Sequence, residues 1–193
     1  MSKVVRSLIG LGVLAAGSLA LYAEVPKGWF MAGNKPADYE SSVDTEYSYG
    51  GQPSAYLRSK KSDEDVMEFG TLMQNFSAEQ YVGKRVRFSA FVKSKDLPGW
   101  AGLWMRVDGK PGQTLAFDNM MDHPIKAASD WRNYEVVLDV PAGATGIYFG
   151  ILLSGPGTVW MNSAKLEEVP TSVPSTDKIK APAPGPTNLG FDK

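Results

Sequence analysis

The sequence predicts an all-β domain, an antiparallel β-sandwich or barrel. Three observations carry this. Roughly nine or ten short runs alternate apolar and polar residues, with Gly, Pro, Asn or Asp turn signals between them. The body shows no long run of apolar residues at helical spacing. At 193 residues, 43% hydrophobic and 21% charged, the chain can bury one sizeable core.

The elements follow in order. GWFMAGNKPADYE holds a short N-terminal strand and the turn residues Gly33-Asn34-Lys35-Pro36. It either completes a sheet edge or closes over a concave face, bringing Asn34 and Tyr39 there. YESSVDTEYS ends at Gly50-Gly51, and SAYLRSK follows. KSDEDVMEFG, with Asp63, Glu64, Asp65 and Glu68, reads as a solvated acidic loop, because it lacks the Asp-x-Asp-x-Asp-Gly spacing of a Ca²⁺ loop. GTLMQNFSA is a strand, followed by a short turn or helical piece around Glu79 to Gly83. In KRVRFSAFVKSK, Val86, Phe88, Ala90 and Val92 share one face, with Arg85, Arg87 and Ser89 on the other. GWAGLWMRVDG puts Ala101, Leu103, Met105 and Val107 on a buried face and ends in the turn DGKPG. QTLAFDN leads to a loop through His123, and WRNYEVVLDV aligns Tyr134, Val136, Leu138 and Val140. After the turn PAGAT, GIYFGILLS is apolar on both faces, as a central strand covered on both sides would be. TVWMNSAKLEEV is the last strand.

The ends differ from this body. Lys3 and Arg6 precede the uncharged apolar run Ser7 to Ala20, with small residues at Ser18, Ala20 and Ala23. Residues 1–23 therefore read as a secretory signal peptide, the alternative being an uncleaved N-terminal membrane anchor. Residues 24–169 form the domain. Residues 170–193 carry Pro170, Pro174, Pro182, Pro184 and Pro186 with little to bury, and are expected to be a disordered Pro-rich tail.

The other face of GWAGLWMRVDG carries Trp100, Trp104, Arg106 and Asp108. Trp rings stack on the apolar faces of pyranoses, while Arg, Asp, Asn and Gln bond to hydroxyls. Gln74, Asp118 and Asn119 are candidates to join this set, and Trp131, Tyr148 and Trp160 add aromatic area. The competing reading is packing, with Arg106 and Asp108 as a satisfied surface pair. The chain has no Cys and one His, which excludes disulfides, thiolate metal sites and His-cluster metal sites. A net charge of −1 without a long basic run argues against binding nucleic acid by phosphate neutralisation. No nucleophile-elbow, phosphate-loop or dinucleotide motif is present.

The succession FGTLMQNFSAEQYVGKRVRFSAFVKS, GWAGLWMRVDG, AFDNM, DWRNYEVVLDVP and YFGILLSGPGTVWMNSAKLE resembles a bacterial jelly-roll domain. The group is the galactose-binding-like and carbohydrate-binding-module one, in a form found alone or attached to helix-turn-helix transcription regulators. The resemblance covers about Gly28 to Val169. It implies a jelly-roll β-sandwich with one concave sheet whose outer face receives sugar rings. It also leaves room for a structural Ca²⁺, although Asn162 and Ser163 stand where the group often has an Asp pair. No cofactor is expected.

The resulting expectation is a non-catalytic exported module, periplasmic or secreted. It would hold a carbohydrate or other small polar ligand at Trp100, Trp104, Arg106, Asp108, Gln74, Asp118 and Asn119. The alternative is a structural or protein-interaction module of the cell envelope. A hydrolase is the third reading, and requires Asp108 and Asp118 to face one another. Nucleic acid is not an expected partner, and a membrane is one only if the N-terminal segment stays uncleaved.

Overall fold

A computed structural model describes residues 24–62, 68–179 and 188–190. The expected signal segment, Asp63, Glu64 and Asp65, and Pro182, Pro184 and Pro186 lie outside the described residues. Ten strands follow in chain order among the described residues: β1 Phe30–Gly33, β2 Tyr39–Tyr49, β3 Gln52–Ser59, β4 Phe69–Ser77, β5 Arg85–Lys95, β6 Trp100–Asp108, β7 Thr114–Asp118, β8 Ser129–Asp139, β9 Gly146–Ser154 and β10 Thr158–Val169. They form two antiparallel five-stranded sheets, ordered β1-β4-β9-β6-β7 and β2-β3-β10-β5-β8. This is the predicted jelly-roll sandwich.

Period-two alternation builds the core between the sheets. Val86, Phe88 and Val92 of β5 meet Leu103, Met105 and Val107 of β6 and Ile147, Ile151 and Leu153 of β9, all essentially without solvent exposure. The GIYFGILLS run is indeed central, between β4 and β6. Its outward side, however, faces a groove instead of another layer. β1 completes a sheet edge by pairing with β4. Asn34 Oδ1 accepts from Phe69 N (2.7 Å), and the buried Tyr39 hydroxyl donates to Glu68 O (3.0 Å) and Gly155 O. These two residues fasten the edge and do not cover the face.

The last strand carries a β-bulge between Asn162 and Lys165, with Ser163 at φ +51°. At the bulge Asn162 Nδ2 donates to Gln52 O (3.0 Å), Pro53 O (2.9 Å) and Ser54 Oγ (3.0 Å). An amide thus occupies the centre of three oxygens at the position where the resembled group often has an Asp pair.

The tail expectation needs correction for residues 170–179. Arg85 Nη1 donates to Thr171 O (2.7 Å) and to Val173 O. Thr176 N donates to Val137 O (2.8 Å), and Val137 N to Thr176 Oγ1 (3.0 Å). Lys178 N donates to Phe117 O (2.8 Å), while Phe117 N donates to Asp177 Oδ1 (2.9 Å). The segment therefore straps the free edges of β8 and β7, one in each sheet. Proline content prevents this stretch from forming a helix or a central strand of its own. It does not prevent carbonyls and the remaining N–H groups from satisfying edge strands.

Two outcomes are expected. Asn162→Asp sets a carboxylate against the Gln52 and Pro53 carbonyls and lowers stability by about 2–4 kcal/mol. Urea denaturation at pH 7 measures the loss, which shrinks once the carboxyl protonates and can donate again. The second concerns the strap. The Lys178 ammonium, and then His123, hold the Asp122 carboxyl down to about 2, against an ordinary Asp value of about 3.9. A depressed folded value means that the contact stabilises above about pH 4 and is lost as pH falls through about 2. In Lys178→Ala the Asp122 carboxyl titrates closer to the ordinary value by NMR, and proteolysis within residues 170–179 accelerates.

Candidate functional site

The outer face of the β1-β4-β9-β6-β7 sheet forms a groove of about 710 Å³. Antiparallel register arranges its lining in rungs that run across the strands. The first rung is Asn75, Tyr148, Arg106 and Phe117. The second is Phe30, Met73, Gly150 and Trp104. The third is Ala32, Thr71, Leu152 and Gly102. The fourth is Phe69, Ser154 and Trp100. Rungs two residues apart lie roughly 7 Å from one another, so the groove runs about 20 Å.

Trp104 forms the floor. It is 8% exposed, and its indole Nε1 donates to Thr71 Oγ1 (2.7 Å), which donates to Ile151 O (2.8 Å). Gly150 of β9 pairs with Trp104, and a Cβ there would come within 2.9 Å of Met73 Cβ and 2.3 Å of Leu72 O. Met73, Trp104 and Leu152 form a second apolar cluster, with Phe69, Trp100, Phe117 and Tyr148 packed around it. At the first rung, Arg106 Nε and Nη2 donate to Asp108 Oδ2 (3.1 and 2.8 Å). The guanidinium carbon stands 4.9 Å from the Tyr148 ring centroid, a cation–π contact.

Of the seven predicted residues, Trp100, Trp104, Arg106 and Asn119 line this groove. Asp108 shares their face but lies past the groove's end, in an adjoining depression with Lys110, Thr114 and Thr145. Gln74 and Asp118 need correction. Gln74 alternates with Leu72 and Phe76, the core-side phase of β4, so its neighbour Asn75 is the residue that faces the groove. Asp118 is fully buried, opposite Met105 on the inward side of β7, because Phe117 takes the outward position. Its Oδ1 accepts from Met120 N (2.9 Å), holding Met120 at φ +61° and turning Asn119 and Met121 into the wall. Gly102 gives that wall room: a Cβ there would meet Asn119 O at 2.8 Å.

The sequence reading missed Phe30, Phe69, Thr71, Asn75 and Phe117. For β4 the signal was present in the phase of FGTLMQNFS. Once Leu72 is inward, Phe69, Thr71, Met73 and Asn75 face out.

The remaining aromatics belong to the other sheet. Trp160 stacks under Tyr47 at 4.3 Å between centroids and donates from Nε1 to Asp44 Oδ2 (2.9 Å). Burial opposes ionisation of Asp44, but the Trp160 indole and the Tyr47 and Glu46 amides outweigh it and hold the carboxyl below its ordinary value. Trp131 packs on Tyr49, which stacks on Phe91. Among the described residues no group of three or more His, Asp or Glu converges as a metal site requires.

No known protein-family profile matches the chain. It is 44% identical over 170 residues to the uncharacterized HTH-type transcriptional regulator YbfP of Bacillus subtilis (strain 168), a match covering 86% of this chain and 57% of that protein. The chain thus spans little more than half of this curated relative. Among solved structures it is similar to the enzymatically active domain of tailspike protein 4 from Bacteriophage CBA120. That match has a TM-score of 0.56 at 14% identity over 74% of this chain and 20% of that chain. It is also similar to the CBM22-1 xylan-binding domain of Paenibacillus barcinonensis Xyn10C, with a TM-score of 0.52 at 16% identity over 75% of this chain and 88% of that chain. The fold is therefore the jelly-roll sandwich that carbohydrate-binding modules share.

Proposed function

We propose that the chain is a binding module that holds a carbohydrate or similar polyol-bearing ligand in the groove of the β1-β4-β9-β6-β7 sheet. One observation carries the reading. Trp100, Trp104, Tyr148, Arg106 and Asn75 occupy three of the four rungs of a single open groove. Its volume of about 710 Å³ suits a small ligand. The likeness to a solved domain named as xylan-binding supports the ligand class.

Binding without catalysis fits the carboxylates. Asp108 is engaged by Arg106 and Asp118 points into the interior, so the two do not face each other across the groove as a glycosidase requires. The likeness to a transcription regulator is compatible with a ligand-binding part used in more than one setting. We place this chain outside the cytoplasm, periplasmic or secreted, because Lys3, Arg6 and the apolar run Ser7 to Ala20 have the layout of an export signal.

A glycan array probed with the full chain tests the reading. Binding to a restricted set of glycans is expected. Asn75→Ala and Arg106→Ala should each weaken it about tenfold, or about 1.4 kcal/mol, with the thermal transition retained. Glycan binding unchanged in both variants, or none by folded wild type, overturns the reading. The aromatic face would then be a protein-interaction surface.

A further inference from the structure

We propose that the preferred ligand is a glycoside with an apolar aglycone: the sugar lies over Asn75, Arg106 and Asp108, and the aglycone over Trp104, Leu152 and Trp100. This rests on the groove being the ligand site, and it goes further, because the groove's two ends differ in chemistry.

Polar groups in the second to fourth rungs are largely engaged inside the protein. The Trp104 N–H and the Thr71 hydroxyl bond to each other and to Ile151 O. Ser154 Oγ turns to Glu68 O. On the wall, Asn119 Oδ1 accepts from Met121 N (3.1 Å). What remains for a ligand there is apolar, apart from the amide nitrogen of Asn119. The rims are apolar too, with Phe30 42% and Met121 64% exposed. A bare oligosaccharide carries hydroxyls around every ring. Over these rungs it would give up hydration without gaining partners, which is unfavourable for each hydroxyl buried. An aryl or alkyl group loses nothing there and covers surface that water now wets.

The first rung has the opposite character. Beside the Tyr148 and Phe117 rings, Asn75 is exposed, and Arg106, with Asp108 just past the groove's end, places donors and an acceptor side by side. Because Asp108 compensates the guanidinium charge, the pair suits neutral hydroxyls better than an anion. Rungs two to four span roughly 14 Å, the length of an aryl group with a short chain or of a medium alkyl chain.

Calorimetric titration of the full chain tests this. The probes are methyl, phenyl and octyl glycosides of glucose, galactose, mannose and xylose, kept below micelle formation, with octanol and free xylo- and cello-oligosaccharides alongside. The expected result is at least tenfold tighter binding of a phenyl or octyl glycoside than of its methyl counterpart. Phe30→Asn and Met121→Gln, both at exposed positions, should reduce that advantage. Arg106→Ala should weaken all glycosides of the bound sugar. Free oligosaccharides or methyl glycosides binding as tightly as the substituted ones overturns the aglycone proposal and leaves the carbohydrate reading standing. Octanol binding as tightly as the octyl glycoside overturns the sugar end. No binding by any probe overturns both.

Discussion

The hydrogen bond from the Trp104 indole to Thr71 joins β6 to β4 across the strand between them. The two strands lie two spacings apart, roughly 9–10 Å, so a side chain of indole length is needed to reach. Gly150, the partner of Trp104 on the strand between, has no room for a side chain beside Leu72 and Met73. Thr71 is itself fixed by Ile151 O, so the indole is held at one defined place and not merely packed. Met73 and Leu152 close around it, and the outer face acquires a small apolar cluster of its own. A half-buried antiparallel sheet would ordinarily present polar residues outward. Here the outward face is apolar in the centre and polar at one end, and that division follows from where the indole lies.

The wall on the β7 side depends on a different set of constraints. Asp118, buried beneath it, turns the chain at Met120, and Gly102 lets the Asn119 carbonyl come close. The strap then fastens the same loop from outside, through Lys178 N to Phe117 O and the Lys178 ammonium to Asp122 (2.6 Å). The strap also bonds to Val137 on β8, so it couples the edge of one sheet to the groove wall of the other. The shape of the groove on this side is thus set partly by residues beyond the last strand.

Much of the fold was legible because β-strand burial has a period of two. Val86, Phe88 and Val92, or Ala101, Leu103 and Met105, announce their face without knowledge of their partners. Trp100, Trp104 and Arg106 were legible as one face for the same reason. The two misplaced residues show where the pattern stops helping. Gln74 is polar but sits in the inward phase between Leu72 and Phe76, so residue type and phase disagreed, and phase decided. Asp118 ends a five-residue strand, too short for alternation to be read with a charged residue at the boundary. Which residues from different strands share a rung was not legible, since register is a property of pairs of strands. The strap was missed for a further reason. Composition reports whether a segment can build structure for itself, whereas residues 171–179 take theirs from two existing edges.

Aromatic count alone does not separate a binding face from a packed one, and the two sheets show why. Trp160 and Trp104 are both nearly buried, and both indole N–H groups are satisfied within the chain. The difference lies in what covers the neighbouring rings. On the β2-β3-β10-β5-β8 sheet, Tyr47 stacks on Trp160 and Tyr49 on Phe91, so the chain supplies its own covering layer. The rest of that face is joined by ion pairs such as Arg87 with Glu167 and Glu135. On the groove side, Trp100, Phe69 and Phe117 surround Trp104 at the rungs and no ring of the chain stacks over them among the described residues. A sandwich needs only the inward faces of its sheets to fold. One outer face here is closed by the protein's own residues, and the other keeps its aromatic surface available to something else.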